Sequence, residues 1–210
     1  MRAAHGIARR EVRLRALPAP DFMDVVWPEG HVCLINDDGT SLPGLLSQAL
    51  TARGWRVALW SPASDAVPLS SIIETHGPVT AFIHLNPPGD GALFSATDEA
   101  LLKRVFLLAG HLKATLTESA QREWAAFMTV TRLDGALGMT GCGSPVAGGL
   151  FGLTKTLALE WPDVYCRAVD LAPTLPVDRA VALILAELHD PNRRLVEVGW
   201  SETGRVTLEA

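Results

Sequence analysis

Residues 31–60 read HVCLINDDGTSLPGLLSQALTARGWRVALW, and this stretch decides the fold. Val32, Cys33, Leu34 and Ile35 form a short unbroken apolar run, the pattern of a parallel strand buried on both faces. Thr40 or Ser41 can cap a helix, and Pro43 falls in its first turn, where a missing N–H costs nothing. Leu42, Leu45, Leu46, Ala49 and Leu50 then recur at helical spacing, and Gly54 marks the stop. Trp55–Trp60 reads as the next strand. About 30 residues is the length of one strand–helix–strand crossover.

The alternation continues outward from this unit. A short helix is expected over Leu69–His76, and a strand over Val79–Leu85 that ends at Asn86-Pro87-Pro88-Gly89. Ser95 or Thr97 caps a long helix, with Asp98 and Glu99 at its positive end. Strands at Ala125–Thr131 and Tyr165–Leu171 flank a helix over Ala147–Glu160 that Pro162 stops. The Gly-rich stretch 135–152 reads as a loop feeding that helix. A helix over Asp178–His189 and late strands at Leu195–Gly199 and Arg205–Leu208 close the pattern. Strands alternating with helices imply an α/β fold, a doubly wound, mainly parallel sheet with helices on both faces. Residues 1–30 form an approach segment, with an edge strand over Glu11–Leu17 that sets Val12, Leu14 and Ala16 on one side. Residues 31–210 form a single domain.

Composition sets the outer bounds. The chain has 210 residues, 48% hydrophobic and 20% charged, with 18 basic and 23 acidic side chains and a net charge of −5. A chain of this size buries roughly 70% of its extended surface and holds a core without staples. The acidic balance argues against a nucleic-acid partner. Cys33, Cys142 and Cys166 are odd in number and widely spaced, so a disulfide framework is not expected and a reducing, cytoplasmic setting fits. Arg2, Arg9, Arg10, Arg13 and Arg15 interrupt the N-terminus, which excludes a secretory signal; Glu11 and the strand-like alternation count against a transit peptide. No apolar run reaches a membrane span. His31, His76, His84 and His111 share no metal spacing.

A doubly wound sheet invites a dinucleotide, so the first strand–helix turn should carry glycines that let the backbone approach a pyrophosphate. The turn is Asn36-Asp37-Asp38-Gly39-Thr40-Ser41-Leu42-Pro43-Gly44. Gly39 and Gly44 remain, but neither G-x-G-x-x-G nor G-x-x-x-G-x-G is present, and Asp37 and Asp38 set two negative charges where a diphosphate would sit. A tight turn with helix-capping carboxylates is the better reading. The second strand ends Leu59-Trp60-Ser61-Pro62, without the acid or Arg that would meet a ribose; Asp65 comes late.

Arg132-Leu133-Asp134-Gly135-Ala136-Leu137-Gly138, then Gly148-Gly149-Leu150-Phe151-Gly152-Leu153-Thr154-Lys155, resembles the catalytic stretch of short-chain dehydrogenases/reductases. That family uses a Ser after the strand, a Tyr as proton donor, and a Lys four residues past the Tyr on the same helix face. Against this pattern Lys155 is present, Phe151 stands at the Tyr position with no proton to give, and Gly138 stands at the Ser position; Ser144 is at the wrong offset.

With Phe127–Gly135, Gly148–Leu157, Glu160-Trp161-Pro162 and Cys166–Leu171 taken together, the chain resembles the ketoreductase region of polyketide synthases. It looks most like that of the multidomain polyunsaturated-fatty-acid synthases. Such ketoreductases have two Rossmann-like halves: an N-terminal structural half with a degenerate cofactor site, and a C-terminal half that binds NADPH and carries the reducing Tyr. The resemblance covers roughly residues 11–208 and implies a truncated, non-catalytic Rossmann-like subdomain that binds no cofactor itself. Its partners would be the catalytic ketoreductase half, on the same or a separate chain, the other synthase domains, and acyl carrier protein indirectly. Glu197-Val198-Gly199 and Arg205-Val206-Thr207-Leu208 look like the junction where the catalytic half would begin, and the chain ends at Ala210. The alternative is a divergent NADPH-dependent short-chain reductase acting on β-ketoacyl thioesters, with Lys155 and Ser144 or Lys103 in altered roles. A third, weaker reading is a dimerisation or docking element of a synthase.

Lys155 and Lys103 otherwise read as solvated helix lysines, Asp134 and Arg132 as a loop cap or a partner contact, and Cys142 as a loop thiol without a base. Most tryptophans read as core, with Trp200 as the one that could pack on a partner.

Overall fold

The computed structural model describes residues 10–21, 30–61, 69–86, 95–141 and 144–210. Trp27, Pro28, Pro62, Asp65, the turn Pro87-Pro88-Gly89 and Cys142 lie outside the described residues, as do Arg2 and Arg9.

Eight strands form one sheet: β1 (Arg13–Leu17), β2 (Val32–Asn36), β3 (Arg56–Trp60), β4 (Val79–Leu85), β5 (Ala126–Thr131), β6 (Tyr165–Leu171), β7 (Glu197–Ser201) and β8 (Gly204–Glu209). Five helices connect them: α1 (Leu42–Thr51), α2 (Leu69–His76), α3 (Ala96–Arg122), α4 (Pro145–Glu160) and α5 (Val177–Leu188). The strand order is β1-β8-β7-β6-β5-β4-β2-β3. Strands β2 through β7 run parallel, and β8 and β1 add antiparallel at one edge. The order reverses between β2 and β4, so this doubly wound sheet follows the 2-1-3-4-5 scheme, not 3-2-1-4-5-6.

The core has two layers. On one face α1 and α5 pack Leu46, Leu50, Ile184 and Leu188 against Ile35, Ile83, Met128 and Val169. On the other, α2, α3 and α4 pack Ile72, Leu112, Leu150 and Leu157 against Leu34, Phe82, Phe127 and Cys166. Every residue of β2, β5 and β6 is buried, as unbroken apolar runs require of strands covered on both sides.

Capping residues set the helix starts. Ser95 Oγ accepts from Asp98 N, and the Asp98 carboxylate accepts from Ser95 N, a closed capping box. Helix α4 begins two residues earlier than its apolar periodicity suggests, with Ser144 as N-cap and Pro145 in the first turn. Gly148, Gly149 and Gly152 therefore lie in the helix and not in a loop. At Gly149 a Cβ would stand 2.9 Å from Leu102 Cδ1, so the glycine lets α3 and α4 approach closely. The edge strand forms, but Val12, Leu14 and Ala16 stay exposed.

Candidate functional site

In an open α/β sheet a ligand binds beyond the carboxyl ends of the strands, where the order reverses. Here that crevice lies between β2 and β4, and Asn36 stitches it. The side chain of Asn36 is buried; its Nδ2 donates to Leu85 O at 2.8 Å and its Oδ1 accepts from Leu85 N at 2.5 Å. Regular pairing of the two strands ends at Ile35 and Ile83, and the Asn36 amide supplies the next rung. Asp37 N donates to Trp60 O at 2.7 Å and Asn86 N to Val130 O at 2.8 Å, which ties in both outer neighbours.

The turn after β2 uses its own donors. Asp37 Oδ1 accepts from Gly39 N at 3.0 Å, and Asp38 Oδ1 accepts from Thr40 N at 2.9 Å and from the Thr40 hydroxyl at 2.7 Å. Thr40 Oγ1 in turn accepts from Leu42 N at 3.2 Å. The two carboxylates cap the turn and not the helix, and Ser41, at the N-cap position, makes no side-chain cap bond. Gly39 has φ +79°, which the turn requires of a glycine; Gly44 lies in α1 and allows no special approach. A diphosphate here would have to displace three internal acceptors and face two acids.

The loop after β5 is held by a second pair of acids. Asp170 on β6 accepts from Leu133 N at 2.8 Å, Leu137 N at 3.0 Å and the Thr131 hydroxyl at 3.1 Å. Asp134 accepts from Ala136 N at 2.8 Å, Gly138 N at 2.9 Å, and Thr140 N and Oγ1 at 3.1 and 2.7 Å. Burial and the adjacent Asp134 carboxylate push Asp170 up to about 6. Burial opposes ionisation of Asp134 as well, but the Thr140, Gly138 and Ala136 donors outweigh it and draw this carboxyl down to about 2. Arg132 Nη2 donates to Pro173 O at 3.0 Å and Leu175 O at 2.7 Å. Both polar residues thus act inside the loop. Gly135, at φ +71°, presses on β7: a Cβ there would stand 2.2 Å from Trp200 O.

The residues read against the reductase pattern fall as follows. Phe151 is buried with Ala147 and Ala168, and Leu133 and Leu137 pack on the same cluster, so an apolar plug fills this position. Gly138 lies in the Asp134-capped loop at φ +82°. Thr154 and Lys155 lie level with mid-sheet, not with the strand ends: Thr154 Oγ1 meets Thr129 Oγ1 at 2.7 Å, and Lys155 Nζ pairs with Glu197 at 2.9 Å. Thr129, Ala168 and Glu197 are in register across the sheet, two residues short of the end of β5. Ser144 is the α4 N-cap, its Oγ 3.4 Å from Ala147 N, so its hydroxyl is already engaged. Lys103 pairs with Glu99 at 2.6 Å on the exposed side of α3. No proton donor, hydroxyl and lysine meet at one point among these residues.

The histidines and thiols are core groups. His84 is buried beside Phe82, and desolvation lowers it to about 4. Burial raises the Cys33 thiol and pushes Cys166 up to about 12. Among the described residues no three His, Cys, Asp or Glu side chains gather to hold a metal, and no helix is long and apolar enough to cross a membrane.

One cluster escapes a reading of sequence. Arg167 on β6, Glu187 on α5, Asp190 and Arg205 on β8 are all buried. Arg205 donates to Glu187 through Nε and Nη2, both at 2.7 Å, and also binds Asp190; Arg167 reaches Asp190 at 3.0 Å. Trp200 Nε1 donates to Glu187 at 2.7 Å, which makes Trp200 a core residue and not a partner contact. Arg205 Nη1 also holds Pro18 O at 3.2 Å, tying in the chain just after β1. The only signal in sequence was a pair of charges, Arg167 and Asp170, within an otherwise apolar strand.

No family model matches the chain. A curated relative, a polyunsaturated fatty acid synthase subunit from Thraustochytrium sp. (strain ATCC 26185 / S-3), is 37% identical over 204 residues, which cover 86% of this chain. This chain is a homologue of a segment of that synthase. The segment is 7% of the relative's length. Among solved structures, an A-type ketoreductase from a modular polyketide synthase matches 95% of this chain with 41% of its own, at TM-score 0.62 and 21% identity. The adenylation, ketoreductase and pseudo-Asub multidomain structure of a keto acid-selecting NRPS module matches 94% of this chain with 18% of its own, at TM-score 0.63 and 16% identity. The synthase homologue therefore has an α/β Rossmann-like fold of the kind found in ketoreductases and short-chain dehydrogenases.

Proposed function

We propose that this chain is a non-catalytic structural subdomain that braces the NADPH-binding half of a ketoreductase in a polyketide or polyunsaturated-fatty-acid synthase, at the β-ketoacyl reduction step. The observation that carries this reading is the turn after β2. Its backbone donors at Gly39, Thr40 and Leu42 are already bound by Asp37, Asp38 and Thr40, so the place where a dinucleotide's phosphates would dock offers acids and occupied N–H groups. The plug around Phe151 supports it, since the position offers no phenol to donate a proton. So does the ketoreductase match, in which nearly all of this chain accounts for 41% of the other. In the braced complex NADPH is held by the partner half.

Calorimetric titration of the purified chain with NADPH tests the first element, and no heat is expected up to millimolar cofactor. Co-purification tests the second. The chain is co-expressed with the segment that directly follows the aligned one in the Thraustochytrium synthase, and a stable complex is expected. Micromolar NADPH binding by the chain alone would overturn the reading in favour of a divergent reductase acting on β-ketoacyl thioesters. Failure to form the complex would remove the bracing role.

A further inference from the structure

The β8–β1 edge of the sheet has two unlike faces. Toward α5, Leu17 packs on the core, and Arg205 is locked into the buried charge cluster and holds Pro18. On the opposite face the strands place Val12, Leu14 and Ala16 beside Val206 and Leu208, with Leu14 opposite Leu208 and Ala16 opposite Val206. Val12 is 44% and Leu14 39% exposed; Ala16 is exposed and Val206 and Leu208 are half-buried. None of the five belongs to a hydrophobic cluster of the core. Helix α4, on this side of the sheet, packs on β5 and β6.

A strand in a one-sided sheet buries its apolar face and wets its polar one. Here the alternation is strict, Val12, Leu14 and Ala16 against Arg13 and Arg15, yet the apolar side is the uncovered one. The polar side is self-sufficient: Arg13 pairs with Glu11 at 2.6 Å and Arg15 with Glu209 at 3.8 Å. Aliphatic cross-strand pairs stabilise a sheet when they are shielded, and contribute little to an isolated edge. An exposed edge strand is also a hazard that proteins blunt with charge or cover with another element. Charge is present on one face only, which leaves cover as the remedy for the other.

Resting on the bracing role proposed above, we infer that the apolar face of β1 and β8, centred on Val12, Leu14, Ala16, Val206 and Leu208, is the seat of the NADPH-binding ketoreductase half. The occupant is set by proportion: the ketoreductase that shares this fold has 59% of its chain (100 − 41) outside the match. That remainder must pack on the shared part. A flat aliphatic face, held rigid from behind by buried ion pairs, suits an apolar element of such a partner.

The experiment is the co-purification above, repeated with three variants. Val12→Asp/Leu14→Asp charges the seat. Ala16→Arg blocks it sterically at a position already exposed, which guards against loss of fold. Leu159→Asp, on α4 and 85% exposed, is the control elsewhere. Circular dichroism and a thermal melt establish that each is folded. Both seat variants are expected to retain at least tenfold less partner than the parent chain, and the control the same amount. Capture by the parent and by both seat variants alike overturns this seat and leaves the bracing role standing. No capture by the parent overturns both.

Discussion

Glu187→Gln is the sharpest test of the packing argument. The side chain is fully buried, and its carboxylate faces two guanidinium groups. Arg205 lies at 2.7 Å from Glu187 Oε2 and Arg167 Nη1 at 3.4 Å, while Asp190 is the second acid of the cluster. Two cations against two anions make a neutral set. The amide keeps the shape but leaves the set with one uncompensated positive charge out of reach of water. Breaking a buried pair from one side costs about 3–5 kcal/mol, even where the intact pair adds little net stability. For a chain of this size 1 kcal/mol moves the melting temperature by about 2–4 °C, so the expected fall is about 6–20 °C. Urea unfolding and a thermal melt of the same samples measure it. The double variant Glu187→Leu/Arg205→Met removes one charge of each sign. It is expected to lose less than the sum of its single changes, with a coupling of at least about 1 kcal/mol. A Glu187→Gln chain within about 1 kcal/mol of the parent, or strictly additive losses, would refute the reasoning.

Gly135→Ala and Gly39→Ala form a matched pair. Both positions have positive φ, for which a Cβ costs about 1–2 kcal/mol, but only at Gly135 does the new atom meet backbone, Trp200 O at 2.2 Å. Urea midpoints should fall further for Gly135→Ala, and equal falls would deny the close approach of the loop to β7. Asp170 gives a pH test. Its folded-state value of about 6 lies above the about 3.9 of a free Asp, so the folded chain holds this proton more tightly than the unfolded one. Its contribution to stability therefore rises as pH falls from about 6 toward 4, by about 1 kcal/mol between pH 7 and pH 5. Asp134, drawn down to about 2, contributes stability that is lost only below about pH 4. The unfolding free energy of the parent relative to Asp170→Asn, measured at both pH values, should increase by that amount on acidification; a constant difference would place Asp170 among ordinary carboxylates.

The α/β alternation was legible because buried parallel strands leave unbroken apolar runs. Leu69–His76, Val79–Leu85 and Tyr165–Leu171 fall at the residues that the pattern marks. Helix starts were less legible, since Ser144-Pro145 is a polar–proline pair that reads equally as loop, and only the fold shows Ser144 Oγ facing Ala147 N. Strand order was not legible at all. Local patterning carries no record of which neighbour a strand pairs with, and the reversal between β2 and β4 is a long-range property. The candidate site divides in the same way. The acids at Asp37 and Asp38 were plain, but their bonds to Gly39 and Thr40 required the turn. Lys155 looked like part of a catalytic pair by spacing, because residues four apart always share a helix face. Its level on the sheet, beside Glu197, depends on where α4 starts.

The same physical feature recurs at each point where a ligand would enter a doubly wound sheet. Asn36 takes up the free backbone groups of Leu85, Asp37 and Asp38 take up the turn, and Asp170 and Asp134 take up the loop after β5. A site that waits for a ligand keeps donors free to meet it; here side chains of the chain itself are bound to them. These bonds stabilise the described strand ends without a ligand. A rigid sheet of that kind is what a brace needs, because its own geometry must not depend on cofactor occupancy while the partner binds and releases NADPH. The distribution of strain is the reverse of an enzyme's: stability is retained at the crevice, and exposed apolar surface is carried at β1.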